Sequence, residues 1–221
     1  MVVRPTSLKK TEPPAEPESS STKERLLQVA QALFAQKGFH ATSTREITRR
    51  ANTNVASLYF HWRTKENLYL AVYRRLFQQL TQMRQGMIEL LEEGLRTHKS
   101  LAAVLYPIAD RAFDFFAAHP DLARLNLHRM LEGGPLAMKI EQEFENPLYQ
   151  AAARVYQRLT EEGVIQVSDP EFMPFSLEIL LDLYFANPER LQRALGLRGT
   201  ALRARMRSHF RKTFVRLLAG R

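Results

Sequence analysis

Residues 43–62 read STREITRRANTNVASLYFHW, and this stretch predicts a short helix, a tight turn and a second short helix. Ser43 and Glu46 stand in the S-x-x-E relation of a capping box, in which a hydroxyl and a carboxylate satisfy free amides at a helix start. Asn52 in the turn tolerates a left-handed backbone, and Asn54 can cap the second helix. Because a braced pair of short helices can place one of them in the major groove of DNA, the stretch predicts a helix-turn-helix.

The predicted second helix, from Val55 to about His61, begins with small side chains. Ala56 and Ser57 allow a backbone to approach DNA closely, and the serine hydroxyl can bond either bases or phosphates. Lys65 falls in the first turn of the next helix, where its charge opposes the helix dipole unless an anion such as a DNA phosphate lies there. A solvated lysine without a ligand explains this position equally well.

Residues 22–72 resemble the TetR family of bacterial transcriptional repressors. The resemblance covers KGF at residues 37–39, LYFH at 58–61 and TKENL at 64–68, which match the family's first helix end, recognition helix and fourth helix start. It implies phosphate and groove-edge contacts from Thr44 and Arg45. It further implies base contacts from Val55, Ala56 and Ser57, and backbone contacts from Tyr59, His61 and Lys65.

Three positions depart from the family pattern. Thr53 stands where a buried valine is usual, and Asn52 stands where glycine is usual; both fit the geometry of the turn but could loosen it. Val55 replaces a polar reader, and we expect it to contact a thymine methyl group instead.

Composition limits the classes of protein to consider. The 221 residues carry a net charge of +9, with +5 in residues 22–70, −3 in 71–198 and +7 in 199–221, so the predicted DNA-binding segment is basic. The absence of cysteine excludes disulfides, thiol catalysis and cysteine redox sensing. No apolar run reaches the roughly 18 residues of a membrane span, and the start of the chain lacks a signal-peptide core. We therefore expect a soluble, cytoplasmic protein without membrane association.

The helical periodicity predicts an all-α fold of about nine helices in two domains. Residues 1–21, rich in proline and serine, are expected to form a disordered tail. Residues 22–70 would form a three-helix DNA-binding domain, and residues 71–221 a helical bundle for ligand binding and dimerisation. A helix from Lys65 to about residue 93, roughly 40 Å long, would belong to both domains and could transmit a tilt between them.

The last two long helices are the predicted dimer interface. The final helix, about residues 200–218, carries an apolar stripe of Leu202, Met206, Phe210, Phe214 and Leu217. The helix after Asp169 is apolar all round, so we expect it to be buried on more than one side. The family resemblance likewise implies a homodimer whose C-terminal helices form a four-helix bundle.

Five aromatic residues of the middle segments are the predicted lining of an apolar ligand pocket: Tyr106, Phe113, Phe116, Phe144 and Tyr156. Core packing explains any one of them taken singly. His128 and Glu132 have the i, i+4 spacing that a metal site can use, but two ligands are too few and a solvated polar face is favoured. We expect neither a metal nor a cofactor.

These patterns support two functions and argue against a third. The first is a homodimeric repressor that binds a palindromic operator in double-stranded DNA and is released by a small, largely apolar effector. The alternative is an architectural DNA-binding protein with little sequence preference and no effector. An enzyme is not expected, because we find no Ser/His/Asp arrangement, glycine-rich phosphate loop or paired histidine ligands.

Overall fold

The computed structural model describes residues 21–220, which form ten helices and no strand. The helices are α1 (Thr22–Lys37), α2 (Thr44–Arg50), α3 (Val55–Trp62), α4 (Lys65–Arg96), α5 (Leu101–Ala118), α6 (Pro120–Glu132), α7 (134–161), α8 (Met173–Ala186), α9 (Pro188–Leu195) and α10 (Gly199–Ala219). The all-α prediction is confirmed, while the predicted disordered tail lies almost wholly outside the described residues. No helix of the described range is long and apolar enough to cross a membrane.

Polar caps fix the start of each of the first four helices. The Ser43 hydroxyl accepts the amide of Glu46 at 3.1 Å, as the capping box predicted. Oδ1 of Asn54 accepts the amide of Ser57 at 2.8 Å, and the Thr64 hydroxyl accepts that of Asn67 at 3.1 Å. These side chains satisfy amides that a helix start otherwise leaves unpaired.

The N-terminal helices share one apolar core. Leu26, Leu33, Ile47, Leu58 and Leu68, one or two from each of α1 to α4, are all buried. Asn52 has φ 49°, so the turn between α2 and α3 uses the left-handed backbone expected of asparagine. The core holds α3 at a fixed angle to α2, which a reader of DNA requires.

Helix α4 is shared between the two halves of the chain. It runs for 32 residues, with its first turns in the N-terminal core and its remainder packed on α5. Helix α6 packs on both α1 and α8, so it also connects the halves. Helix α4 is thus shared between the halves as the sequence predicted, and α6 forms a second connection that the sequence did not indicate.

Helix α7 continues through Asn146 and Pro147, where a proline inside a helix usually causes a break or a kink. A π-helical turn, Glu141–Glu145, precedes the proline, and this turn contains about one residue more than an α-helical turn. This accommodates a residue that lacks an amide hydrogen without ending the helix. The same turn places the Glu145 side chain in the protein interior.

The stripe of α10 is used inside the chain. Leu202, Met206, Phe210, Phe214 and Leu218 are buried, and α10 packs on α5. Leu217, which the sequence analysis placed in this stripe, is exposed, because Leu218 takes the inward position. The apolar stripe of α10 is therefore mostly covered within the chain, and the dimer interface at the C-terminal helices stays a prediction.

Candidate DNA-binding surface and effector cavity

Helix α3 has one face in the core and one in solvent. Leu58 is fully buried, and Trp62 one turn later packs against the core. Ala56, Tyr59 and Phe60 are exposed. The side chains exposed on this face are small or aromatic, so the helix can approach the base edges in a major groove.

The predicted DNA contacts lie together at α2, α3 and the start of α4. Arg45, Ala56 and Tyr59 are exposed, and the remaining five are partly exposed: Thr44, Val55, Ser57, His61 and Lys65. None of the eight is buried. All eight therefore keep some exposure to solvent, which a contact with DNA requires.

The arginines of α2 differ in how far they are neutralised. Glu46 forms ion pairs with Lys37 at 2.8 Å and with Arg50 at 3.1 Å, and the hydrogen bond from Lys37 lowers the pKa of the Glu46 carboxyl. Arg45 and Arg49 form no ion pair within residues 21–220. These two exposed guanidinium groups are therefore available to phosphates.

Lys65 is engaged within the protein. Its ammonium group donates hydrogen bonds to the carbonyl oxygens of Phe39, at 3.0 Å, and Thr42, at 3.1 Å. It also lies 4.1 Å from the centre of the Phe39 ring. Lys65 thus ties the start of α4 to the turn between α1 and α2, a role that its sequence position did not reveal.

Phe60 is a surface residue that the sequence analysis missed. Its side chain is 83% exposed, although phenylalanine is usually buried. The helical phase of α3 could have indicated it, since Phe60 lies one turn after Ala56 and opposite Leu58.

A cavity of about 350 Å³ lies among α4, α5, α7, α8 and α10. Its walls are mainly apolar, with Met83, Ile108, Leu177 and Phe214 as examples. Arg84 and Glu178 form its polar end, where the guanidinium of Arg84 lies 3.1 Å from the Glu178 carboxylate. This size and lining suit a small, mostly apolar molecule with one polar group.

The five predicted ligand residues do not all reach this cavity. Phe116 and Tyr156 line it, and burial raises the pKa of the Tyr156 hydroxyl to about 12. Phe113 instead packs on Phe185, with ring centres 5.0 Å apart. The other two also pack elsewhere: Phe144 on Phe77 at 5.7 Å and Tyr106 under the Arg211 guanidinium at 4.7 Å.

Buried carboxyl groups surround the polar end of the cavity. Glu178 and Asp182 of α8 lie near the Nδ2 atom of Asn126, at 3.5 Å and 3.3 Å. Burial raises the pKa of Glu178. Burial, together with the repulsion from the Glu178 carboxylate, raises the pKa of Asp182 to about 9. Burial also raises the pKa of Glu145 to about 7, against the attraction of Arg129. Of these carboxyl groups, that of Asp182 is therefore the one held in its neutral form at pH 7.

Helix α6 joins this cluster to the DNA-binding half. Asn126 and Arg129 face the cluster, while the carbonyl oxygen of Leu125 accepts the Tyr73 hydroxyl of α4 at 2.9 Å. Asp121 accepts a hydrogen bond from Gln31 of α1 at 3.2 Å. A displacement of α6 would therefore act on α1 as well as on α4.

The end of α6 lies against the turn after α1. A β-carbon added at Gly38 would overlap the Glu132 carboxylate and lie 3.1 Å from Nδ1 of His128. His128 and Glu132, the pair with the spacing of metal ligands, thus lie close to the DNA-binding half. Within the described residues, they belong to no group of three potential metal ligands.

Comparison with known proteins relates this geometry to one family. Residues 26–72 match the family described as bacterial regulatory proteins, tetR family. Over 50 residues the chain is 42% identical to the HTH-type transcriptional regulator QacR of Staphylococcus aureus (strain Mu50 / ATCC 700699), covering 23% of this chain and 27% of that protein. Over 113 residues it is 30% identical to the HTH-type transcriptional repressor KstR2 of Rhodococcus jostii (strain RHA1), covering 50% of this chain and 55% of the repressor.

The likeness at the level of the fold extends further. A solved structure from Streptomyces coelicolor, the transcriptional regulator SCO4942, has a TM-score of 0.61 and 24% sequence identity. That match covers 88% of this chain and 98% of the other. By sequence, the chain spans only about a quarter and about half of the lengths of the two relatives above.

Proposed function

Because this chain belongs to the TetR family of bacterial transcriptional regulators, we propose that it is a homodimeric repressor of a palindromic operator. A small, largely apolar effector entering the cavity would release it from DNA. The observation that carries the proposal is the exposed face of α3, which is held by a capped turn and flanked by Arg45 and Arg49, two arginines without an ion pair within residues 21–220. Binding to bacterial DNA would place the protein in the cytoplasm.

DNA contact is proposed at seven of the eight predicted residues. Arg45 and Thr44 would bind phosphate and a groove edge, and Ala56 and Ser57 would face bases. Val55, Tyr59 and His61 would complete the surface. Lys65 would act by positioning α4 against the turn after α1, since its hydrogen bonds already lie within the protein.

An apolar face of α8 supports dimerisation. Phe172, the residue just before α8, is 65% exposed and Leu183 is 51% exposed; Phe175 and Ile179 lie on the same side of α8 as Leu183. Apolar side chains exposed together on one helix are typical of an interface. Two copies joined there would carry two α3 helices, which must meet half-sites about 34 Å, or a multiple of it, apart.

The outward face of α10 would border the dimer interface. It exposes the basic residues Arg203, Arg205, Lys212 and Arg216. Two such faces repel each other at close range, so α8 would supply the apolar centre of the interface and α10 its polar rim. The sequence predicted an apolar interface from both helices, whereas this proposal assigns the apolar part to α8 alone.

Effector binding would act through α4 and α6. Residues 80–91 of α4 line the cavity, and the same helix begins in the N-terminal core. A ligand that favours one arrangement of these helices by ~3 kcal/mol would change operator affinity about a hundredfold. The recognition helices of the dimer would then no longer match the two half-sites.

Selection from a random-sequence DNA pool tests the proposal. The full chain should enrich a palindrome whose half-sites have a constant spacing. Ser57→Ala should change the enriched bases, whereas Arg45→Met should weaken binding to all sequences. Salt-sensitive binding without an enriched motif would contradict a repressor and indicate an architectural protein.

A further inference from the structure

Phe60 is a large apolar side chain that the fold leaves in solvent. It is 83% exposed on α3, and among the described residues its one ring contact is with the edge of His61, at 5.1 Å between centres. A side chain in this position contributes little to the core. Its apolar surface becomes useful only when a partner covers it.

The direction of Phe60 follows from helix geometry. At 3.6 residues per turn, Phe60 lies about 160° around the helix from Leu58 and about 40° from Ala56. Leu58 is fully buried, so Phe60 and Ala56 point away from the core. Val55 lies only about 60° from Leu58 and is half-buried. Phe60 is therefore better placed than Val55 to reach an apolar group in a groove.

We propose that Phe60 reads thymine, by packing its ring on the C5-methyl group of one thymine in each operator half-site. Among the four bases, only thymine presents a methyl group in the major groove. A phenyl ring over a polar base edge would remove water without replacing its hydrogen bonds, and this costs affinity. The inference rests on the proposed function, sequence-specific operator binding through α3.

Deoxyuridine substitution isolates this contact, because deoxyuridine lacks only the methyl group. We would replace each half-site thymine of the selected operator in turn and measure the affinity of the full chain. At one position per half-site, the wild type should bind about fourfold more weakly, and about sixteenfold more weakly when both half-sites are changed. Phe60→Ala should bind the thymine and deoxyuridine operators equally.

Two variants serve as controls. Phe60→Tyr keeps the ring and should keep the preference for thymine. Met138→Ala removes another exposed apolar side chain, 55% exposed on α7, and should retain both the wild-type affinity and the deoxyuridine effect. Melting curves should be the same for all of these variants, since each change lies at the surface.

The outcomes separate this inference from the proposed function. If the wild type binds every deoxyuridine operator as well as the thymine operator, Phe60 does not read thymine, although operator binding stands. The same conclusion follows if Phe60→Ala still distinguishes the two DNAs. If selection enriches no motif, both the inference and the proposed function are wrong.

Discussion

Replacing Lys65 with methionine tests whether this side chain supports the DNA-binding helices from within. Methionine keeps an unbranched chain of similar length but has no charge and no hydrogen-bond donor. The change removes two hydrogen bonds to carbonyl oxygens and the contact with the Phe39 ring. Hydrogen bonds from a charged group contribute about 1.5–3 kcal/mol each when buried.

Because Lys65 is partly exposed, we expect a total loss of about 2–3 kcal/mol rather than the full sum. For a chain of this length, each kcal/mol lowers the melting temperature by roughly 2–4 °C. Lys65→Met should therefore melt about 4–12 °C below the wild type. Thermal unfolding followed by circular dichroism, without DNA, measures this directly.

Arg45→Met is the matched control, since it removes an exposed cation that has no ion pair within residues 21–220. It should leave the melting temperature unchanged. It should also lower the slope of log affinity against log salt concentration by about one, as expected for the loss of one phosphate contact. If Lys65→Met shows this second pattern instead, Lys65 binds a phosphate and the structural role inferred from its hydrogen bonds is wrong.

Four further changes test other parts of the molecule. Gly38→Ala should lower the free energy of unfolding by about 1–3 kcal/mol, because φ is +79° there and the new methyl group overlaps Glu132; an unchanged urea midpoint would contradict this. Burial raises the pKa of Asp182 from 3.8 to about 9, so wild-type stability should fall as pH rises from about 4 to about 9. Asp182→Asn should flatten that fall in urea titrations at pH 5 and 8.5, and an equal fall in both proteins would show that the carboxyl is not buried as a neutral group. Leu183→Glu should give a monomer by light scattering, and a persistent dimer would move the interface away from α8. Ala152→Phe should fill the cavity, abolishing fluorescence enhancement of 1-anilinonaphthalene-8-sulfonate while operator affinity stays; unchanged dye binding would mean that the dye binds elsewhere.

The helix-turn-helix could be predicted because its signals are local. The caps Ser43 and Asn54 act on amides three residues away, so sequence spacing alone indicates them. The role of Lys65 depends on carbonyl groups 23 and 26 residues earlier, which spacing does not reveal. Phe60 lay within reach of prediction, since the phase of α3 relative to Leu58 indicates an outward direction.

The ligand-binding half was harder to predict for a physical reason. A helical stripe shows that a face is apolar but not which surface covers it, and the stripe of α10 is covered by the chain's own helix α5. Phe113 and Phe116 lie one turn apart on α5, yet only Phe116 reaches the cavity. The cavity is the space that five helices leave between them, so the sequence of any one helix does not predict its position.

The preference of the full chain for operator over shuffled DNA, measured at physiological salt, tests its proposed function most directly. A sequence-reading repressor should bind the selected palindrome at least about a thousandfold more tightly than the shuffled DNA. It should do so with one dimer per palindrome. A ratio near one, with a steep dependence on salt, would show that the exposed face of α3 does not read sequence and that phosphate contacts account for binding.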